Sequence, residues 1–412
     1  MGVLVNILSF VNLMKSVGSV LLAVGILLAM VTVHEFGHYV AGKILGFKIN
    51  EFAVGFGPAL LKKRSKKTGE LFALRVIPLG GYCAFDGEDE IDETPPKETE
   101  KEEPFAELSS ARKEAQEMEN DGGRALMNAE TEYPEPKGKR FNDQPPWKRI
   151  IVLIAGATMN YLLALILLFV MFGCYGKPVY RIVSLPEETT NSAALSQEET
   201  QGFEVGDIIL KINGKHMYMI TDYIDTLQGG KQGEKVPVTV LRAGEEVVVQ
   251  MCLVKDANFT NMNDTGNLLR AMGIASMRFE TLKGEFFSGI GHSFVYSFKI
   301  GGTVLRSLGE LVTGRIGLDS MGGPVTTIGI TAQAASSSFL SFLNIAAFIG
   351  VNLAVFNLLP IPALDGCKVI FCIIEWIRKK PVNRKVETMI HFIGIIALFG
   401  FAILIDILQL FW

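Results

Sequence analysis

Apolar residues along the 412-residue chain gather into four long runs, roughly 17–45, 150–172, 339–359 and 389–410. Each holds about 20 predominantly apolar residues, the number a hydrocarbon core about 30 Å thick requires, so four transmembrane helices are expected. Between the first two runs, "FKINEFAVGFGPALL" and "GELFALRVIPLGGYCAF" alternate apolar and polar positions and are punctuated by glycine and proline, which predicts strands over 47–85. These strands follow a membrane helix at once and are apolar in places, so a re-entrant sheet covered by the helices is expected. Past the second run, "PVYRIVSL", "GDIILKING", "VPVTVLRAG" and "EEVVVQMCLV" read as short strands separated by turns at Asn213-Gly214 and Ala243-Gly244, with one helix near Thr221 to Leu227. They predict a small β-rich domain over 178–255, large enough to fold alone. Helix-spaced apolar residues with glycines in 256–337 predict an amphipathic region along the membrane surface. The strongly charged stretch from Asp86, "GEDEIDETPPKETEKEEP" at its head, predicts a solvated insertion within 86–148.

The remaining boundaries follow: an N-terminal segment and first helix (1–46), a second helix (149–173), a third (338–376) and a fourth (388–411). No small-residue cleavage site follows the first run, and "HEFGHYVAGKILGF" continues its helical pattern, so it is read as a retained span. The basic clusters "KKRSKK" at 62–67, "KGKR" with Lys148 and Arg149, and "RKK" at 378–380 with Arg384 and Lys385 assign both loops that hold them to the cytosol. Residues 174–338 and both termini are then outside. With 39 Lys and Arg against 43 Asp and Glu, a net charge of -4, nothing favours nucleic acid as a partner. Five cysteines form no CxxC pair, so neither a disulfide framework nor a cysteine-built zinc finger is supported.

Candidate chemistry sits at the end of the first run, in "VTVHEFGHYV" at 31–40. Ionisable side chains inside a spanning helix cost several kcal/mol unless paired or metal-bound. His34 and His38, four residues apart, project from one helix face, and two neutral imidazoles at that spacing suit tetrahedral zinc. Glu35 is placed to accept a proton from a metal-bound water. The blander reading, two histidines ending a span, leaves the glutamate unexplained. A catalytic zinc takes three protein ligands and keeps one position open. His216 and His292 fall in the outside region, and His391 suits packing at the start of the last run. Asp365, in "NLLPIPALDGCKV" at 357–369, stands at the depth of the histidines, where two prolines and a glycine break the helix. Taken alone, Asp365 also reads as an ordinary turn aspartate.

HExxH in the first span, "GFGP" at 55–58, "FNDQPPWKRIIVLIAGATMN" entering the second, the PDZ-like β domain, "GGPV", and "NLLPIPALDG" in the third together resemble the bacterial site-2 proteases. These are intramembrane zinc metalloproteases of the RseP and RasP type, and the resemblance covers nearly the whole chain apart from the acidic insertion. It implies one Zn2+ held by His34, His38 and Asp365, with Glu35 as general base. It implies that Asn357 holds the substrate backbone or the developing oxyanion, and that Asn160, of the family's GPxxN pattern with Ala157 in the proline's place, also lies at the substrate. Gly55 and Gly57 would lie in a sheet whose edge takes an unwound substrate as an added strand. The "GFEVGDIILKINGK" stretch at 202–215 is similar to a PDZ core, serving as a tail-binding module or a size filter.

The implied fold is a polytopic α-helical membrane protein with four transmembrane helices, a membrane-associated β-sheet after the first, and one extracytoplasmic PDZ-like domain. The implied activity is regulated intramembrane proteolysis of single-span membrane proteins, such as anti-sigma factors or remnant signal peptides, after a first cut by an upstream site-1-type protease. The implied place is a bacterial inner or plasma membrane, with the active site near the cytosol. Two alternatives stay open: a membrane-anchored metallopeptidase acting on cytosol-facing peptides, and a non-catalytic PDZ scaffold. A transporter is more remote, since the spans show no inverted repeat.

Overall fold

The computed structural model describes residues 2–88, 133–186, 202–260, 264–284, 286–317 and 322–411. Most of the charged insertion expected within 86–148 lies outside these residues. The elements, in order, are α1 (Gly2–Leu45), β1 (Ile49–Arg64), β2 (Leu71–Phe85), α2 (Pro146–Tyr175), β3 (Lys177–Ser184), β4 (Ile208–Ile212), β5 (Lys215–His216), α3 (Ile220–Leu227), β6 (Lys235–Arg242), β7 (Glu245–Cys252), α4 (Thr265–Met272), β8 (Ser276–Leu282), α5 (Ser288–Val312), α6 (Pro324–Ser337), α7 (Phe339–Asn357), α8 (Asp365–Arg378) and α9 (Arg384–Phe411). Among the described residues, four helical stretches are long and apolar enough to cross a membrane: Ser16–Leu45, Pro146–Tyr175, Phe339–Asn357 and Arg384–Gln409. The second begins with proline in its first turn, where a missing N–H costs nothing.

The chain divides into two compact units, Met1–His34 with Gly156–Leu359 and Ile395–Trp412, and Glu35–Ala155 with Pro360–Gly394. In the first unit, an antiparallel sheet of order β7-β6-β4-β3-β8, with β5 paired to β4, forms the β domain. Its core gathers Ile182, Ile209, Ile212, Val238, Val240 and Met251 from the strands, Tyr223, Ile224 and Leu227 from α3, and Leu268, Ala271 and Met272 from α4. The domain runs past the expected end at 255, because β8 pairs with β3 from Lys177↔Leu282 to Ser184↔Ser276. "SMRFETL" does alternate, but its partner strand lies about a hundred residues earlier, a relation that local pattern does not carry.

Helices of the same unit share a second core, built from Ala164, Leu168 and Met171 of α2, Tyr296, Ile300 and Val304 of α5, and Leu343, Ala347 and Val351 of α7. A side chain at Gly350 would meet Ala164 Cβ at 3.0 Å, so the small residue sets how closely α7 approaches α2. Asp406, otherwise costly in a spanning helix, accepts from the Val325 and Thr326 N–H groups at 3.1 and 3.3 Å and so satisfies the exposed amides at the start of α6. Two ion pairs, Lys299 with Asp222 and Arg306 with Asp225, hold α3 of the β domain to α5.

In the second unit, β1 and β2 form one long antiparallel hairpin with repeated register shifts. Gly55 has φ +87°, and a Cβ there would stand 2.6 Å from the Ile77 carbonyl oxygen, so only glycine fits this bend. Glu70, almost fully buried at the start of β2, accepts from Lys43 Nζ at 2.5 Å and from Tyr39 Oη and Thr68 Oγ1 at 3.0 Å each, tying the hairpin to α1. Phe47, Phe85 and Phe141 pack edge-on or tilted against one another with centroids 5.5–5.6 Å apart. The stretch expected as a third helix over 338–376 is two helices: α7 stops at Asn357 and α8 starts at Asp365. The reason is chemical, since Pro360 and Pro362 lack the N–H groups a continuous helix needs.

Candidate metal centre

Helix α1 runs unbroken through "HEFGH", so His34 and His38 sit one turn apart on one face. His38 is buried, and each of its ring nitrogens has a partner. Nδ1 lies 2.8 Å from the Val152 carbonyl oxygen of α2, an acceptor, so Nδ1 carries the proton. Nε2 then presents a lone pair, and 3.3 Å away is Asp365 Oδ2, also an acceptor when ionised. Two acceptors at that distance need a proton or a cation between them. Tetrahedral zinc with bonds of about 2.0–2.1 Å separates neighbouring ligand atoms by about 3.3–3.4 Å, so the pair is spaced as two zinc ligands are. The ligand atoms of His34, His38 and Asp365 all lie within 4.8 Å of one another. A donor set of two imidazoles and a carboxylate fits zinc, and leaves a fourth position for water or substrate.

Asp365 is the first residue of α8, and the loop before it is held from α9. The Ala363 N–H donates to His391 Nδ1 at 3.2 Å. One turn along α9, a Cβ at Gly394 would meet Pro362 Cβ at 2.3 Å, so glycine admits the loop there. Ala363 has φ +80°, a left-handed conformation that costs a residue bearing a Cβ about 1–2 kcal/mol. His391 is therefore the anchor of a strained turn two residues before a candidate ligand, a more specific task than the packing expected of it.

Around His34, the amides of Asn160 and Asn357 bring Nδ2 within 3.5 and 3.4 Å of Nδ1. Asn160 Oδ1 is buried without a partner. Turned by 180°, that amide brings Oδ1 to accept from His34 Nδ1 and leaves Nε2 as the ligand atom. Both asparagines, expected at the substrate, thus stand against the ring of a metal-binding candidate.

Glu35 follows His34 on α1 and is half-buried. Burial, with the Glu35 charge as the next cause, pushes the thiol of Cys83 on β2 well above its ordinary range and keeps it neutral. Gly55 and Gly57 lie in β1, both with positive φ, and the Gly57 carbonyl accepts from Arg75 Nη1 at 2.7 Å. Arg75 also binds Glu51 at 2.8 Å and Tyr82 at 2.7 Å, bracing the two strands across the bend. The Val152 carbonyl was beyond sequence reasoning, because any residue type supplies one.

A protein with four described helices long and apolar enough to cross a membrane, and a His/His/Asp donor set that joins an HExxH helix to a distant carboxylate, belongs to the class of membrane-embedded zinc metallopeptidases. The model of peptidase family M50 matches residues 22–401, and the chain belongs to that family. It is 29% identical over 406 residues to the regulator of sigma-W protease RasP of Bacillus subtilis (strain 168), covering 89% of this chain and 92% of that one. It is 30% identical over 390 residues, 91% of each chain, to a putative zinc metalloprotease of Agrobacterium fabrum (strain C58). A putative zinc metalloprotease of Clostridium perfringens (strain 13 / Type A) is 30% identical over 381 residues, 92% of this chain and 94% of that one. The protein is a membrane zinc metalloprotease.

Proposed function

We propose that the chain is an intramembrane endopeptidase that cuts single-span membrane proteins after an upstream protease has trimmed their outer part. His34, His38 and Asp365 hold the zinc, and Glu35 is the general base. The observation that carries this reading is the contact of His38 Nε2 with Asp365 Oδ2 at 3.3 Å while Nδ1 is fixed on Val152. It joins the second histidine of the motif to a carboxylate more than 300 residues later.

The chemistry the metal supplies when bound is Lewis acidity. Glu35, one residue from His34, takes a proton from the attacking water and gives it to the leaving amine, a role worth about 10²–10⁴-fold. Asn160, with its amide oxygen on Nδ1, holds the His34 ring in the tautomer a ligand needs, and Asn357, at the end of α7, receives the substrate backbone. Gly55 and Gly57 shape the β1 bend so that the hairpin offers an edge to an unwound segment. The β domain acts as the PDZ-like module on the outer side, and the basic loops assign the centre to the cytosolic side. RasP of Bacillus subtilis is named a regulator of sigma-W protease, which favours anti-sigma factors as the substrate class.

Purified wild type and Glu35→Gln, tested on a single-span model substrate and on a soluble peptide of the same sequence, decide the matter. The expected result is cleavage of the spanning substrate by wild type alone, with zinc retained by both. Preference for the soluble peptide would instead make the protein a membrane-anchored peptidase of the cytosol.

A further inference from the structure

The first two turns of α2, with the residues just before them, touch both elements that carry the candidate ligands of the second unit. Gln144 Nε2 donates to the Gly46 carbonyl at 2.9 Å and Lys148 Nζ to the Leu45 carbonyl at 3.0 Å, satisfying acceptors left open at the end of α1. The Val152 carbonyl fixes the His38 ring. Between them, Arg149 is fully buried and pairs through Nη2 with Glu375 of α8. Glu375 also faces Arg384 of α9 at 3.5 Å, and Arg384 binds Glu387 at 2.7 Å. Glu375 follows Asp365 by ten residues on α8, about 15 Å along a helix.

A closed ring results. It passes from His38 to Val152 and Arg149 on α2, across to Glu375 on α8, along α8 to Asp365, and back to His38. Arg149 is a poor choice for stability. Its Nε and Nη1 have no hydrogen-bond partner, and a buried ion pair stabilises a fold no better than well-packed apolar residues of the same volume. A directional bond does supply orientation, which an apolar contact does not.

We propose that Arg149 is a positioning residue of the metal centre: through Glu375 it orients α8, and so sets the distance between the Asp365 carboxylate and the His38 ring held on the same stretch of α2. The proposal rests on the reading of His34, His38 and Asp365 as zinc ligands. Other contacts that orient ligands in metal sites change metal affinity about 10–100-fold when removed, and Arg149 acts one step further out, so about tenfold is expected.

The test measures zinc affinity by chelator competition and the visible spectrum of the cobalt(II)-substituted protein, on the full chain in detergent. The variants are Arg149→Met, Arg149→Lys, the double Arg149→Met/Glu375→Met, and Asp365→Ala. The double variant leaves no uncompensated buried charge, so it keeps the fold where Arg149→Met alone does not. The expected result is about tenfold weaker zinc and a shifted cobalt spectrum in the double variant, with Arg149→Lys between it and wild type. Wild-type affinity and spectrum in a folded double variant, with zinc lost from Asp365→Ala, would overturn the proposal and leave the centre standing. Wild-type affinity in Asp365→Ala would overturn the reading of the centre itself.

Discussion

The β domain and the surroundings of the candidate metal centre bury polar groups for different ends. In the β domain, Asp207 pairs with Arg242 at 2.7 Å, and Asp222 accepts from the Tyr218 and Met219 N–H groups at 2.8 and 3.0 Å. Asp207 also accepts from the Glu204 N–H at 2.9 Å, so both carboxylates close turns at the margin of a dense apolar core, Asp222 while also pairing with Lys299 of α5, and stability there is spread over many side chains. Around the centre, His38, Gln144 and Arg149 are buried in a chain of single contacts, each aimed at a particular partner. The first region is built to stay folded, and the second to hold a few atoms in place. Substitutions should therefore separate two readouts, domain stability and metal binding.

The largest stability effect is expected in the β domain. Tyr223 is fully buried, and Tyr223→Ala should cost about 3–5 kcal/mol by the cavity it leaves. Hydrogen exchange or limited proteolysis should show the domain loosened while zinc content stays at the wild-type level. A loss of zinc in this variant would break the separation. A smaller effect of the opposite kind is expected from Asn160→Ala, which should weaken zinc about 10–100-fold by releasing the His34 ring. Thermal unfolding of the β domain should not move, and chelator competition reads the loss. The smallest effect is expected at the strained turn. Ala363→Gly relieves the φ of +80° and should stabilise the loop before Asp365 by about 1 kcal/mol, seen as slower amide exchange over 360–366.

Much of the candidate centre was legible in the residues themselves. The i, i+4 histidines need only a continuous helix to share a face, and the paired prolines before Asp365 announce the break that presents it. The four spans follow from run length alone. What was not legible depends on partners distant in the chain. β8 joins the sheet through β3, a hundred residues back. Arg149 reads in the sequence as one more basic marker of a cytosolic loop, and only the fold turns it inward onto Glu375. Asp406 looks like an unexplained charge in a span until α6 is seen to present its free amides to it. The Val152 carbonyl and the strain at Ala363 belong to the backbone, which side-chain pattern does not report.

X-ray absorption at the zinc edge of the purified protein, with wild type beside Asp365→Ala, tests the central claim most directly. The account predicts one zinc per wild-type chain with two imidazole nitrogens and oxygen at about 2.0–2.1 Å, and loss or rearrangement of that shell when the carboxylate is removed. An unchanged spectrum in Asp365→Ala, or a zinc without histidine ligands, would contradict it.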